Sequence, residues 1–173
     1  GMSLCDTCAK GTYEDRLGSS GCQACPSGYY CPAGSAAPIP ATCNPGMYVS
    51  NVTLDFTQDD CKPCPMGSSC AGGQSHPTPC LPGTIAPSNK SAQCAKCAPG
   101  SFQGGEGQIE CLPCPKGYFC IQGSATGVPC PGGTYSNQTA LSSRERCLPV
   151  PANAWAPLGS SLPEQCPPSG YYC

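Results

Sequence analysis

The chain is short of the residues that build a conventional core. Leu, Ile, Val and Phe together number 20 of 173, below the roughly 20% under which a chain without other support stays disordered. It has one Trp and one His, and charged residues make up only 10%, for a net charge of -2. The eight Lys and Arg are scattered, so nothing suggests a nucleic-acid or polybasic membrane surface. No apolar run approaches the ~18 residues of a transmembrane helix. No G-x-S-x-G, P-loop or H-E-x-x-H is present, so neither catalytic residues nor a cofactor are expected. No basic-apolar-small leader opens the chain at Gly1-Met2-Ser3-Leu4, and a mature segment or fragment of a larger protein is the expectation. Cys5 near the start and Cys173 at the close point the same way.

What is abundant is glycine, proline and cysteine: 22, 22 and 19 residues. A backbone so rich in Gly and Pro cannot run long helices, because Pro lacks a donor and Gly costs entropy. Disorder or cross-linking remain, and the cysteines decide for cross-linking. A disulfide closing about 15 residues supplies roughly 3 kcal/mol in the chain-entropy account, and several in series replace a core. Persistent disulfides imply an oxidising, extracellular compartment.

The cysteines fall into two recurring spacings. C-x2-G-x-[aromatic or Ile] begins at Cys8, Cys43, Cys80, Cys97 and Cys130. C-P-x-G-x-x-C spans Cys25–Cys31, Cys64–Cys70 and Cys114–Cys120, with a fourth copy, one residue longer, at Cys166–Cys173. C-x2-C steps join them at Cys22/Cys25, Cys61/Cys64 and Cys111/Cys114, and Cys94/Cys97 is a shorter link. Cys147 and Cys166 read as the next step, stretched by an insertion holding Trp155. Each Gly suits a tight turn or positive φ. The aromatic two residues later is expected to lie over the disulfide as the apolar plug of its own unit.

On these motifs, above all Cys22-x2-Cys25-Pro26-x-Gly28-Tyr29-Tyr30-Cys31 and the C-x2-G-x-Y segments, the chain resembles the ephrin-receptor-like, growth-factor-receptor-like cysteine-rich repeats of extracellular proteins. Similar arrays occur in tumour-necrosis-factor-receptor-like ectodomains and in large surface proteins of ciliates and algae, including those of flagellar hairs (mastigonemes). The C-P-x-G-Y-Y-C flavour leans toward that protist type. The resemblance implies an extracellular, non-catalytic module. The expected fold is small and disulfide-rich: an elongated tandem array of cysteine-rich modules with short β-hairpins, almost no helix, and contacts mainly between neighbouring units. The expected divisions are 1–21, a partial repeat; 22–60 and 61–93, cysteine-rich units; 94–110, a short unit; 111–146, a further unit; and 147–173, a truncated unit with the insertion.

Zinc is the serious competitor. Cys5-x2-Cys8-x13-Cys22-x2-Cys25 and Cys94-x2-Cys97-x13-Cys111-x2-Cys114 have nearly ribbon spacing. Cys31, Cys43, Cys70, Cys80, Cys120 and Cys130 find no place in such sites, and composition favours disulfides. Redox-active C-x2-C pairs are set aside because no βαβ pattern accompanies them. His76 reads as a loop residue. Asp55, Asp59 and Asp60 lack the order of a calcium loop and read as a solvated cluster. Trp155 reads either as an interface anchor or as packing on Pro151 or Pro157.

Equivalent positions in a tandem array should pair equivalently. An interlocked scheme leaves Cys94 and Cys97 to bond each other, or makes equivalent units pair differently. The sequential scheme has neither fault: Cys8–Cys22, Cys25–Cys31, Cys43–Cys61, Cys64–Cys70, Cys80–Cys94, Cys97–Cys111, Cys114–Cys120, Cys130–Cys147 and Cys166–Cys173. Its small rings need a tight turn at their Gly. Cys5 is left for a partner upstream. Three N-glycosylation sequons, at Asn51, Asn89 and Asn137, share one place in the repeat, after the C-x2-G-x-[aromatic or Ile] motif. They are expected to carry glycans on an exposed edge. The functional expectation is a glycosylated stalk or filament segment at the cell surface, partnered by copies of itself or other surface-fibre proteins. The alternative is a receptor ectodomain.

Overall fold

The computed structural model describes residues 7–53, 56–73 and 76–167. These form nine two-stranded sheets, each a short hairpin opened by a residue with positive φ. Two single 3-10 turns, Gln58–Asp60 and Arg144–Arg146, are the helical content among the described residues. The protein is a small, disulfide-rich array of tandem hairpin modules.

We name each hairpin by the residue that opens it. The Gly11 hairpin pairs Thr12–Tyr13 with Gln23–Ala24. Gly28 opens Tyr29–Tyr30 with Ile39–Pro40, and Gly46 opens Met47–Val49 with Cys61–Pro63. Gly67 opens Ser68–Ser69 with Thr78–Pro79, and Gly83 opens Thr84–Ile85 with Ala95–Lys96. Gly100 opens Ser101–Phe102 with Leu112–Pro113, and Gly117 opens Tyr118–Phe119 with Val128–Pro129. Gly133 opens Thr134–Tyr135 with Leu148–Pro149. The last pairs Ala154–Trp155 with Glu164–Gln165 and is opened by Asn153 at φ 60°.

Two readings of the sequence change here. The two cysteine spacings are one structural unit, because C-x2-G opens a hairpin in both. The segment read as an insertion around Trp155 is also such a hairpin. Val150-Pro151-Ala152-Asn153-Ala154-Trp155 stands where Cys130-Pro131-Gly132-Gly133-Thr134-Tyr135 stands in the hairpin before it. Asn tolerates the left-handed region better than other non-glycine residues, so it fills the glycine's place.

The chain forms two compact units whose segments interleave along the sequence. The first runs up to Pro65 and takes in Ser69–Thr78 and Asn89–Gln93; the second holds Met66–Ser68, Pro79–Ser88 and the described residues from Cys94 on. The same bonds recur in each. In the first, the Gly11 and Gly46 amides donate to the Cys31 and Cys70 carbonyls at 2.9 Å. In the second, Gly83 donates to Gln103 at 2.6 Å, Gly100 to Cys120 at 2.8 Å and Gly133 to Ala156 at 2.8 Å.

A second contact starts from the tip of the Gly83 hairpin and of each hairpin after it. The Lys90 amide donates to the Cys64 carbonyl at 2.9 Å in the first unit, and Gly107, Gly123, Ala140 and Gly159 donate to Cys80, Cys97, Cys114 and Cys130 in the second. The carbonyl of the same tip residue presses on the opening glycine of the hairpin two before it. A Cβ built on Gly83 would overlap the Gly123 carbonyl oxygen, and one on Gly100 would stand 2.5 Å from that of Ala140. Gly46, Gly67 and Gly117 are covered in the same way by Lys90, Gly107 and Gly159. Counted by hairpin, these contacts reach the second neighbour as well as the first.

The buried layer is made of sulfur and small side chains. In seven of the nine hairpins the position three after the opening residue is buried, as Cys31, Cys70, Ala86, Gln103, Cys120, Ser136 and Ala156. Gln103 satisfies itself there: its Nε2 donates to the Glu110 carbonyl at 2.7 Å and its Oε1 accepts from the Gly105 amide at 3.0 Å, as a buried amide must. The aromatics two residues after the opening glycine are partly buried, and two of them pack on the hairpin that follows. Phe119 packs on Cys130, Leu141 and Cys147 of the following hairpin, and Tyr30 on Cys43, Cys61 and Phe56 of its own successor. The reason is the strand pairing. Phe119 forms a parallel bridge with Leu141, which faces the ring toward the next hairpin rather than its own.

Candidate functional site

Eight disulfides join described residues to one another, and Cys166 is disulfide-bonded as well. Five close a hairpin from its opening to its far arm: Cys8–Cys22, Cys43–Cys61, Cys80–Cys94, Cys97–Cys111 and Cys130–Cys147. Three are small rings within one arm: Cys25–Cys31, Cys64–Cys70 and Cys114–Cys120. Their Cα separations run from 5.7 to 6.0 Å, within the ~4.4–6.8 Å a disulfide spans. The small rings close because their glycine turns the chain: Gly28, Gly67 and Gly117 sit at φ 82, 76 and 81°. Cys5 and Cys173 lie outside the described residues, and with them the expected Cys166–Cys173 pair. Among the described residues no group of three or more His, Cys, Asp or Glu could hold a metal. No helix there is long and apolar enough to cross a membrane.

Asn51, Asn89 and Asn137 are all exposed and sit in the tip segments of the Gly46, Gly83 and Gly133 hairpins. Asn137 stands at the corner of a turn closed by Ser136, whose Oγ accepts from the Gln138 amide at 3.2 Å and donates to the Gln138 carbonyl at 3.1 Å. Asn89 precedes Lys90, a tip residue at φ 65°. Asn51 lies on the wall of a cleft of about 630 Å³ within the first unit, in the size range of small-molecule sites. Tyr29, Tyr30, Ser27, Val52 and His76 share that wall. Tyr30 is held by Phe56, ring centroids 5.8 Å apart, whereas Tyr29 is 38% exposed.

The acidic cluster has a local role. Asp60 accepts the Thr57 amide at 2.7 Å and Thr57 Oγ1 accepts the Asp59 amide at 3.3 Å, a capping box. Asp55 lies outside the described residues. Hydrogen bonds from Ser19 and Ser143 hold the carboxyls of Glu14 and Glu145 below the usual range, because they favour the charged form. Trp155 is 40% exposed opposite Glu164. The sequence reading missed the cleft, since its walls come from several hairpins and no motif marks it.

Residues 83–127 match the family model described as "Tyrosine-protein kinase ephrin type A/B receptor-like". No curated protein matches the chain. The match and the disulfides support a cysteine-rich, receptor-like repeat and fit an extracellular structural or receptor-ectodomain segment; the family is not a catalytic one. Over residues 83–127, then, this array of stapled hairpins is similar to the cysteine-rich repeat of ephrin type A/B receptors.

Proposed function

We propose that this chain is a glycosylated, non-catalytic structural segment of an extracellular stalk or filament, of the surface-fibre or mastigoneme kind. It reaches the cell surface through the secretory pathway and is partnered by other copies of itself or other surface-fibre proteins. The observation that supports this reading most is repetition. One hairpin design recurs with the same tip and glycine contacts, and its aromatics lie at equivalent positions rather than in one patch. Repeats of this kind gain stability from their neighbours and serve as spacers. The N-linked glycans belong to the same reading, at Asn51, Asn89 and Asn137. Antibodies to this segment on intact cells provide the test. Labelling at regular intervals along surface fibres supports the proposal; labelling confined to the plasma membrane overturns it.

One observation favours a second reading, a ligand-binding receptor ectodomain. The first unit carries a cleft walled by Tyr29 and Tyr30, unlike a plain spacer. Saturable binding of a soluble extracellular ligand, lost in Tyr29→Ala, would support it.

A further inference from the structure

We infer that the cleft of the first unit is the seat of the first sugar of an Asn51-linked glycan, which lays its apolar face on Tyr29. The inference rests on the proposed glycosylation of Asn51. In that modification the side-chain nitrogen of Asn51 bonds to C1 of N-acetylglucosamine, lipid pyrophosphate leaves, and the amide loses one proton. Asn51 is itself part of the cleft wall, so the sugar begins inside it rather than having to find it. The wall has the composition a pyranose needs. Tyr29 offers a partly exposed ring, and Ser27, Ser50 and Thr53 offer hydroxyls for the sugar's polar edge. Val49 and Val52 add apolar lining, and Tyr30 packs against Phe56. Aromatic faces gain from aligned C–H groups, and a tethered ligand loses little further freedom on docking.

The three sequons then differ. The glycans at Asn89 and Asn137 project from exposed hairpin tips, and the one at Asn51 is ordered against protein.

The test uses the chain secreted from a eukaryotic host. Peptide mass spectrometry reads occupancy at each sequon. NMR then reads nuclear Overhauser contacts between the Tyr29 ring and the N-acetylglucosamine ring protons. An endoglycosidase that leaves one N-acetylglucosamine should keep these contacts and the melting midpoint. A peptide N-glycosidase removes that sugar as well and, by hydrolysing the side-chain amide, leaves a carboxylate at position 51; it should abolish the contacts and lower the midpoint. In Tyr29→Ala, which undergoes the same conversion, the midpoint should fall by less. Because the enzymes act on folded protein, a folding defect of an Asn51 variant does not confound the result. A bare Asn51 sinks the glycosylation reading and this inference with it. An occupied Asn51 without Tyr29 contacts, and with the same midpoint change on full deglycosylation in the unaltered chain and in Tyr29→Ala, sinks the seat alone.

Discussion

Gly83→Ala and Gly133→Ala separate the contact between hairpin tips from the intrinsic demand of the turn. Both glycines sit in the second unit, at φ 85 and 81°. Placing alanine in the left-handed region costs about 1–2 kcal/mol, equally at the two sites. Both amides donate to a carbonyl of the next hairpin, at 2.6 and 2.8 Å. They differ in what a Cβ meets. At Gly133 nothing lies within 4 Å, whereas at Gly83 the Gly123 carbonyl oxygen fills the place. Relieving that overlap displaces the tip and strains two bonds, Gly123 to Cys97 and Gly83 to Gln103. Each is worth about 0.5–1.5 kcal/mol, and more if its groups stay buried unpaired. Gly83→Ala should therefore exceed Gly133→Ala by about 1–3 kcal/mol. At ~2–4 °C per kcal/mol for a chain of this size, the midpoints should differ by roughly 2–12 °C. Thermal unfolding with disulfides intact, followed by near-ultraviolet circular dichroism, reads the difference. Amide exchange at Gly123 should accelerate in Gly83→Ala only. Equal midpoints and equal exchange would refute the argument that tips lock the hairpins before them.

Asn153→Gly should leave the midpoint unchanged or raise it slightly, and Asn153→Val should lower stability by about 1–2 kcal/mol, since only a side chain tolerating positive φ fits there. Removing Cys80–Cys94 as a Ser pair should cost about 3 kcal/mol and removing Cys114–Cys120 about 2, following their separations of 14 and 6 residues; denaturant titration of each double variant checks the order. Glu145 should titrate below an ordinary glutamate in NMR, and Ser143→Ala should raise it part of the way back. Its folded pKa is depressed, so whatever it contributes is present above the unfolded value and lost as pH falls through the folded one.

The fold class was legible because cysteine, glycine and proline leave the backbone so few options. The glycines at 28, 67 and 117 announce turns, and the cysteines announce staples. Reading the cysteines as the unit of repetition hid the last hairpin, which has Val150 and Asn153 where its fellows have Cys and Gly. Its signal was present in Pro151 and Trp155 at the usual offsets. The placement of Phe119 over the next hairpin's disulfide, and of the Gly123 carbonyl over Gly83, depends on pairing across some tens of residues, which local spacing does not encode. Exposure of the three sequons follows from their place in the tips. The cleft beside Asn51 is walled mainly by the Gly28 and Gly46 hairpins, with Gly11 and His76 added from two others, and leaves no trace in any one of them alone.

A reconstruction of the native surface assembly, at a resolution that separates individual hairpins, tests the structural role most directly. The account predicts this chain in successive equivalent copies along a fibre, with sugar density at Asn51, Asn89 and Asn137. A single copy standing on a membrane, with a separate ligand seated against Tyr29, would contradict it.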